Sequence, residues 1–165
     1  MTSEKIRSFP PVATSEARVL ILGSMPGIAS LTAGQYYAHP RNAFWRIMGK
    51  LVGAGPENPY DERLRILKKG GIALWDVLDS CVRPGSLDAN ISNETPNDFA
   101  IFFASHTSIT HVGLNGGKAA TLFKKYGALA CPESTIVKGL PSTSPAYAAM
   151  SFDRKFAEWR KFLPG

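Results

Sequence analysis

Four short apolar runs recur along the chain, and each leads into a loop of small or polar residues. The runs occupy residues 18–24, 71–78, 111–115 and 134–140. Continuous apolar runs of this length are typical of strands whose two faces are both covered. We therefore expect four strands, of which the first two are buried.

Segments with apolar residues at helical intervals lie between and after these runs, and they predict crossover helices. The helices are expected at 42–53, 61–71, 95–106 and 116–127, and a last one is expected to begin near Ser144 and Pro145. Thr95 is the expected N-cap of the third helix, with Pro96 at its first helical position.

Strands that alternate with helices predict a three-layer α/β/α sandwich around a central four-stranded parallel sheet. The length of 165 residues suits a single domain over 1–165, with residues 1–16 as an irregular N-terminal segment. Ligands of such sheets bind outside the carboxyl ends of the strands. Ser24, Asp76 and Asn115 fall there, so the sequence predicts a pocket of hydroxyl, carboxyl and amide groups.

The charge balance favours a polyanionic partner. Nineteen Lys and Arg against thirteen Asp and Glu give a formal net charge of +6. Nucleic acid is the first candidate for such a partner. No apolar segment reaches the length of a membrane span, so we expect no membrane association. The two cysteines, Cys81 and Cys131, have no CxxC spacing, which indicates reduced thiols in a cytoplasmic protein.

Three motifs carry the candidate chemistry, and each also has a purely structural explanation. GSMPG at 23–27 is either a plain turn or a ligand loop, and it lacks the features of nucleotide-phosphate loops. YYAHPRN at 36–42 places aromatic rings beside an amide, as a flipped base requires, although Asn42 also suits a helix cap. LPSTSPAY at 140–147 offers hydroxyls that cap a helix, bind a phosphate, or do both.

In the order LILGSMPG, YYAHPRNAFW and LPSTSP, these motifs resemble the uracil-DNA glycosylase superfamily, and within it the hypoxanthine-DNA glycosylase branch. The resemblance implies a monofunctional enzyme that hydrolyses the N-glycosidic bond of a deaminated base, foremost hypoxanthine, flipped out of DNA. In similar mismatch-specific enzymes the position of Met25 holds an Asn that supports the attack of water. Methionine cannot do this, and the resemblance moves the catalytic role to Asn42.

The resemblance also implies roles for the other residues. Tyr37 is expected to stack on the base, Asp76 or Asn115 to meet its edge, and His39 to contact the base or phosphate or to fix the loop. The residues expected to bind the base are Ser24, Met25, Pro26, Gly27, Tyr37, His39, Asp76 and Asn115. Those expected to bind DNA are Ser142, Thr143, Ser144, Ala146 and Tyr147.

No metal or cofactor is expected, and a monomer that binds DNA with a deaminated base is the expected working form. Three alternatives stay open. They are a uracil- or mismatch-specific glycosylase, a DNA-damage binder that has lost catalysis, and an enzyme that acts on free nucleotides. Release of a base from duplex DNA separates the first of these from the other two.

Overall fold

The structure is a computed structural model that describes residues 4–164. Its strands are β1 (Lys5–Arg7), β2 (Val19–Gly23), β3 (Ile72–Asp76), β4 (Leu78–Val82), β5 (Ser92–Pro96), β6 (His111–Asn115) and β7 (Ile136–Leu140). Its α-helices are α1 (Ile28–Ala33), α2 (Phe44–Val52), α3 (Tyr60–Lys69), α4 (Phe99–Ser105), α5 (Gly117–Tyr126) and α6 (Phe152–Phe162). No helix within the described residues is long and apolar enough to cross a bilayer.

The central sheet has four parallel strands in the order β3-β2-β6-β7, as the apolar runs predict. Gly23 pairs with Asp76 at the end of β2 and β3, and Asn115 pairs with Leu140 at the end of β6 and β7. This register brings the four carboxyl ends to one edge of the sheet. β7 is an edge strand and leaves Ile136 and Val137 exposed.

Side chains of β2 alternate between two cores, which confirms the predicted three-layer sandwich. Leu20 and Leu22 lie in the core under α4 and α5. Ile21 lies in the opposite core with Phe44 of α2 and Trp159 of α6. Alternation with period two places a strand between two apolar layers, because successive side chains point to opposite faces.

A second, antiparallel sheet of order β1-β4-β5 was not expected from the sequence. Ile6 of β1 pairs with Cys81 of β4, so the expectation of an irregular segment over 1–16 is wrong for Lys5–Arg7. Residues 1–3 lie outside the described residues. The second sheet places the loop at 83–91 between β4 and β5, and this loop reaches the carboxyl edge of the central sheet.

Two helices begin later than the sequence predicts. α4 begins at Phe99, where the Asp98 carboxylate accepts a hydrogen bond from the amide of Ile101, whereas Thr95 and Pro96 belong to β5. α6 begins at Phe152 after the N-cap Ser151, so the expected start near Ser144 and Pro145 is wrong. In both cases a second capping residue stands directly before the apolar helical pattern and is the one used.

Candidate active site

A cleft of about 770 Å³ opens at the carboxyl ends of the parallel strands. Every residue predicted for catalysis, base binding or DNA binding lines it. They are Ser24, Met25, Pro26, Gly27, Tyr37, His39, Asn42, Asp76, Asn115, Ser142, Thr143, Ser144, Ala146 and Tyr147. The cleft also has lining residues that the sequence did not indicate, namely Ile28, Ala29, Ser30, Ser86, Leu87 and Asp88.

The loop after β2 forms one wall of the cleft and is held by backbone hydrogen bonds. The carbonyl oxygens of Gly23 and Ser24 accept from the amides of Val77 and Leu78, at 2.8 and 3.2 Å. Met25 is 7% exposed and packs in the core under α4 and α5. Its thioether therefore serves packing, and the side chain offers the cleft no strong hydrogen-bonding group.

Tyr37 has an unusual backbone conformation for its residue type. Its φ of 55° lies in the left-handed region. This conformation costs a tyrosine about 1–3 kcal/mol and persists only where the surrounding structure holds it. The ring of Tyr37 packs on Phe44 with ring centroids 4.1 Å apart, and its hydroxyl is buried without a hydrogen-bond partner. Burial raises the pKa of this hydroxyl well above its usual range, and the phenol stays neutral.

Asn42 is positioned by the first turn of α2. Its Oδ1 accepts a hydrogen bond from the backbone amide of Phe44 at 2.9 Å. The backbone amide of Asn42 donates to the carbonyl of His39 at 2.9 Å. The Nδ1 of His39 accepts from the amide of Arg41 at 3.1 Å, so this ring fixes the turn. Because the side-chain oxygen of Asn42 is engaged, its Nδ2 amide is the group left to donate to water or substrate.

Asp76 is a buried carboxyl group at the floor of the cleft. It is 3% exposed, and its Oδ2 has no hydrogen-bond partner. Its place depends on Gly23, because a Cβ there would lie 2.5 Å from Asp76 Oδ1 and 3.2 Å from the Tyr37 hydroxyl. Burial, and then the nearby charge of Asp88, raise the pKa of Asp76 to about 7, although Arg83 opposes the shift. A substantial share of Asp76 is therefore protonated near neutral pH.

The loop between β4 and β5 closes one side of the cleft, and the sequence analysis missed it. The buried guanidinium of Arg83 donates to the carbonyl oxygens of Pro26 and Gly85, both at 2.7 Å. Ser24 Oγ donates to Asp88 Oδ1 at 2.7 Å. The signal that marks this loop is the turn-rich stretch RPGSLDAN after the period-two strand at 78–82.

The loop after β7 is tied to β6 and α2 through one buried residue. Asn115 Oδ1 accepts from the amide of Thr143, and Asn115 Nδ2 donates to Thr143 Oγ1, both at 3.0 Å. The Thr143 carbonyl accepts from the amide of Ala43 at 2.9 Å. Thr143 is 1% exposed. Asn115 and Thr143 are therefore engaged with each other and hold the loop in place. Of Asp76 and Asn115, the two candidates for contact with a base edge, Asp76 is the one with an unpartnered oxygen.

Successive hydroxyl turns shape the rest of this loop instead of a helix start. Ser142 Oγ accepts from the amide of Ser144 at 3.2 Å, and Ser144 Oγ accepts from the amide of Ala146 at 3.1 Å. The Lys155 ammonium of α6 donates to the carbonyl of Tyr147 at 2.7 Å. Ala146 and Tyr147 are exposed at the rim, where the loop can face a large ligand.

Comparison with known proteins decides the family. The family model described as the uracil DNA glycosylase superfamily matches residues 10–164. The chain belongs to this superfamily. Proteins that are similar to this chain include two curated proteins named hypoxanthine DNA glycosylase. The one from Methanosarcina acetivorans is 36% identical over 154 residues, which cover 93% of this chain and 94% of the relative. The one from Methanosarcina barkeri is 40% identical over 116 residues, 70% of this chain and 73% of the relative.

A solved structure shows the same superfamily fold. It is a solution NMR structure from Methanosarcina acetivorans, described as a candidate uracil DNA glycosylase, with a TM-score of 0.79 and 32% sequence identity. The match covers 96% of this chain and 99% of that chain. Both the family resemblance of the three motifs and the predicted α/β sandwich are confirmed.

Proposed function

We propose that this protein is a monofunctional DNA glycosylase that releases hypoxanthine from deoxyinosine in DNA. The observation that carries the proposal is the cleft, where an aromatic ring, a buried carboxyl group and a free amide converge at the carboxyl edge of the sheet. Superfamily membership supports the reaction, and the names of the two Methanosarcina relatives support the base.

Asp76 is suited to reading the edge of hypoxanthine. That edge has a carbonyl acceptor, O6, beside a donor, N1–H. A protonated carboxyl group presents the complementary pair, a hydroxyl donor beside a carbonyl acceptor. Asp76 is buried at the floor of the cleft with an unpartnered oxygen, and its raised pKa favours the protonated form. Uracil presents a similar pair, so uracil is the competitor that a substrate test must include.

The bond change follows from the remaining groups of the cleft. Water attacks C1′ of the sugar, the bond from C1′ to the base nitrogen breaks, and its electron pair leaves with the base. The base keeps one proton of the water, and the sugar keeps the hydroxyl. Asn42 Nδ2 orients the water, and the ring of Tyr37, supported by Phe44, stacks on the flipped base.

DNA binding is assigned to the exposed part of the loop after β7. The proposed phosphate-binding groups are Ser142 and Ser144, while Ala146 and Tyr147 face the duplex from the rim. Thr143 supports them from below. A formal net charge of +6 favours a polyanionic substrate over a free base or nucleoside. The proposed enzyme acts as a cytoplasmic monomer and needs no metal, so activity is expected to persist in a chelator.

The test is release of a base from matched duplexes that carry a single hypoxanthine or a single uracil. Hot alkali then cuts the strand at each abasic site. Cleavage mainly at hypoxanthine supports the proposal. Cleavage mainly at uracil keeps the superfamily chemistry but shows that the assigned base is wrong. Retained binding to damaged duplex without any cleavage refutes the enzyme and favours a DNA-damage binder.

A further inference from the structure

Asp88 brings a carboxylate to the loop that contains Met25. Its Oδ1 accepts the hydroxyl hydrogen bond of Ser24 at 2.7 Å, and Ser24 directly precedes Met25. Asp88 lines the cleft and is exposed, unlike the buried Asp76. A polar group therefore stands beside Met25, whose own side chain offers the cleft no strong hydrogen-bonding group.

The Asp88 carboxylate is held by a braced loop. Arg83 ties the start of the loop to the carbonyl of Pro26, and the hydroxyl of Ser86 accepts from the amide of Ile28 at 2.9 Å. The amide of Ile91 donates to the carbonyl of Asp88 at 3.1 Å and fixes the far side. A charge fixed before the reaction stabilises a transition state better than one that must reorganise.

The two carboxyl groups of the cleft have contrasting environments. Asp76 is buried and has an unpartnered oxygen, whereas Asp88 contacts both a hydroxyl donor and solvent. The two side chains therefore meet the cleft differently, Asp76 from a buried position and Asp88 from an exposed one. Two carboxyl groups in contrasting environments take different roles at other active sites.

We infer that the Asp88 carboxylate stabilises the positive charge that develops on the sugar as the base departs. This inference rests on the proposed function. As the bond from C1′ to the base breaks, its electron pair leaves with the base and the sugar becomes oxocarbenium-like. Asp88 forms no bond and transfers no proton in this step. The nearby Asp76 acts on the base, so the two carboxyl groups have different parts in the same step.

The experiment compares two stable duplexes that hold an abasic-site analogue. One analogue is a cationic pyrrolidine, and the other is a neutral tetrahydrofuran of the same shape. The wild-type protein is expected to bind the cationic duplex about 10²-fold more tightly. Asp88→Asn keeps the shape and an acceptor for Ser24 but removes the charge. We expect this variant to lose most of that preference, while its affinity for the neutral duplex does not fall, because loss of a negative charge does not weaken contacts to phosphate.

The same variant is expected to lower the single-turnover rate of hypoxanthine release by about 10²-fold. Asp61→Asn is the matched control, because Asp61 lies in the first turn of α3 and outside the cleft. Retained affinity for the neutral duplex also shows that Asp88→Asn is folded. An undiminished preference for the cationic analogue in Asp88→Asn overturns the inference, and so does a wild-type protein without any preference. Failure of the proposed function shows separately, as absence of base release by the wild-type protein.

Discussion

Replacement of Asp76 by Asn is expected to remove a pH-dependent loss of stability. The ordinary pKa of the carboxyl group is 3.8, and in the fold burial and the charge of Asp88 raise it to about 7, against the opposing effect of Arg83. The folded state therefore binds the proton more tightly than the unfolded chain between these values. Stability is greatest below the unfolded pKa and falls as pH rises through the folded pKa. At about 1.36 kcal/mol per pKa unit, the whole loss is at most about 4 kcal/mol.

The assay is urea unfolding of wild type and Asp76→Asn at a series of pH values from about 4 to about 9. Asparagine does not titrate, so the variant lacks this contribution at every pH. Titrating groups that do not interact with Asp76 contribute equally to both proteins and cancel in the difference. The stability of wild type relative to the variant is expected to fall with rising pH, with most of the change complete just above pH 7. Parallel profiles for the two proteins would refute the raised pKa and the neutral carboxyl group assigned to base reading.

Three further outcomes are expected. Asn42→Ala lowers the single-turnover rate of base release by about 10²–10³-fold. Its binding of an uncleavable duplex stays nearly unchanged. Base release at the wild-type rate would remove Asn42 from the mechanism. Gly23→Ala lowers the free energy of unfolding by about 1–3 kcal/mol, because its Cβ would lie 2.5 Å from Asp76 Oδ1. Thermal unfolding measures this loss. Gly117→Ala is the control, because a Cβ at Gly117 meets no atom within 4 Å. Affinity for duplex DNA, measured by anisotropy, falls linearly on logarithmic axes as salt rises, and a flat response contradicts contacts to phosphate.

The central sheet could be predicted because its signal is local. β2 and β3 are buried at every position, and each is apolar along nearly its whole length. The second sheet has no comparable signal. β5 reads SNETP and is polar because most of it faces solvent, and β1 has only three residues and pairs with β4 far along the chain. Short solvated strands of this kind are stabilised by tertiary pairing more than by local propensity.

Residues of the site could be located from the sequence, but their hydrogen-bond partners could not. Parallel topology alone places the ends of β2, β3, β6 and β7 together, and the residues predicted for the site line one cleft there. The pairing of Asn115 with Thr143, and of Ser24 with Asp88, depends on distances between loops that no local pattern encodes. The start of α6 shows the same limit, because Ser144 and Ser151 are both suitable caps and only packing selects one.

The burial of Met25 explains why a polar group reaches this loop from elsewhere. The side chain is 7% exposed and belongs to the apolar core under α4 and α5. An amide in the same place would lose its hydrogen bonds to water, at a cost of about 1–3 kcal/mol for each unsatisfied group. A carboxylate carried by the neighbouring loop avoids this cost, because Asp88 remains exposed and receives the hydroxyl of Ser24. The apolar residue in the motif and the charge beside it are therefore two consequences of one packing arrangement.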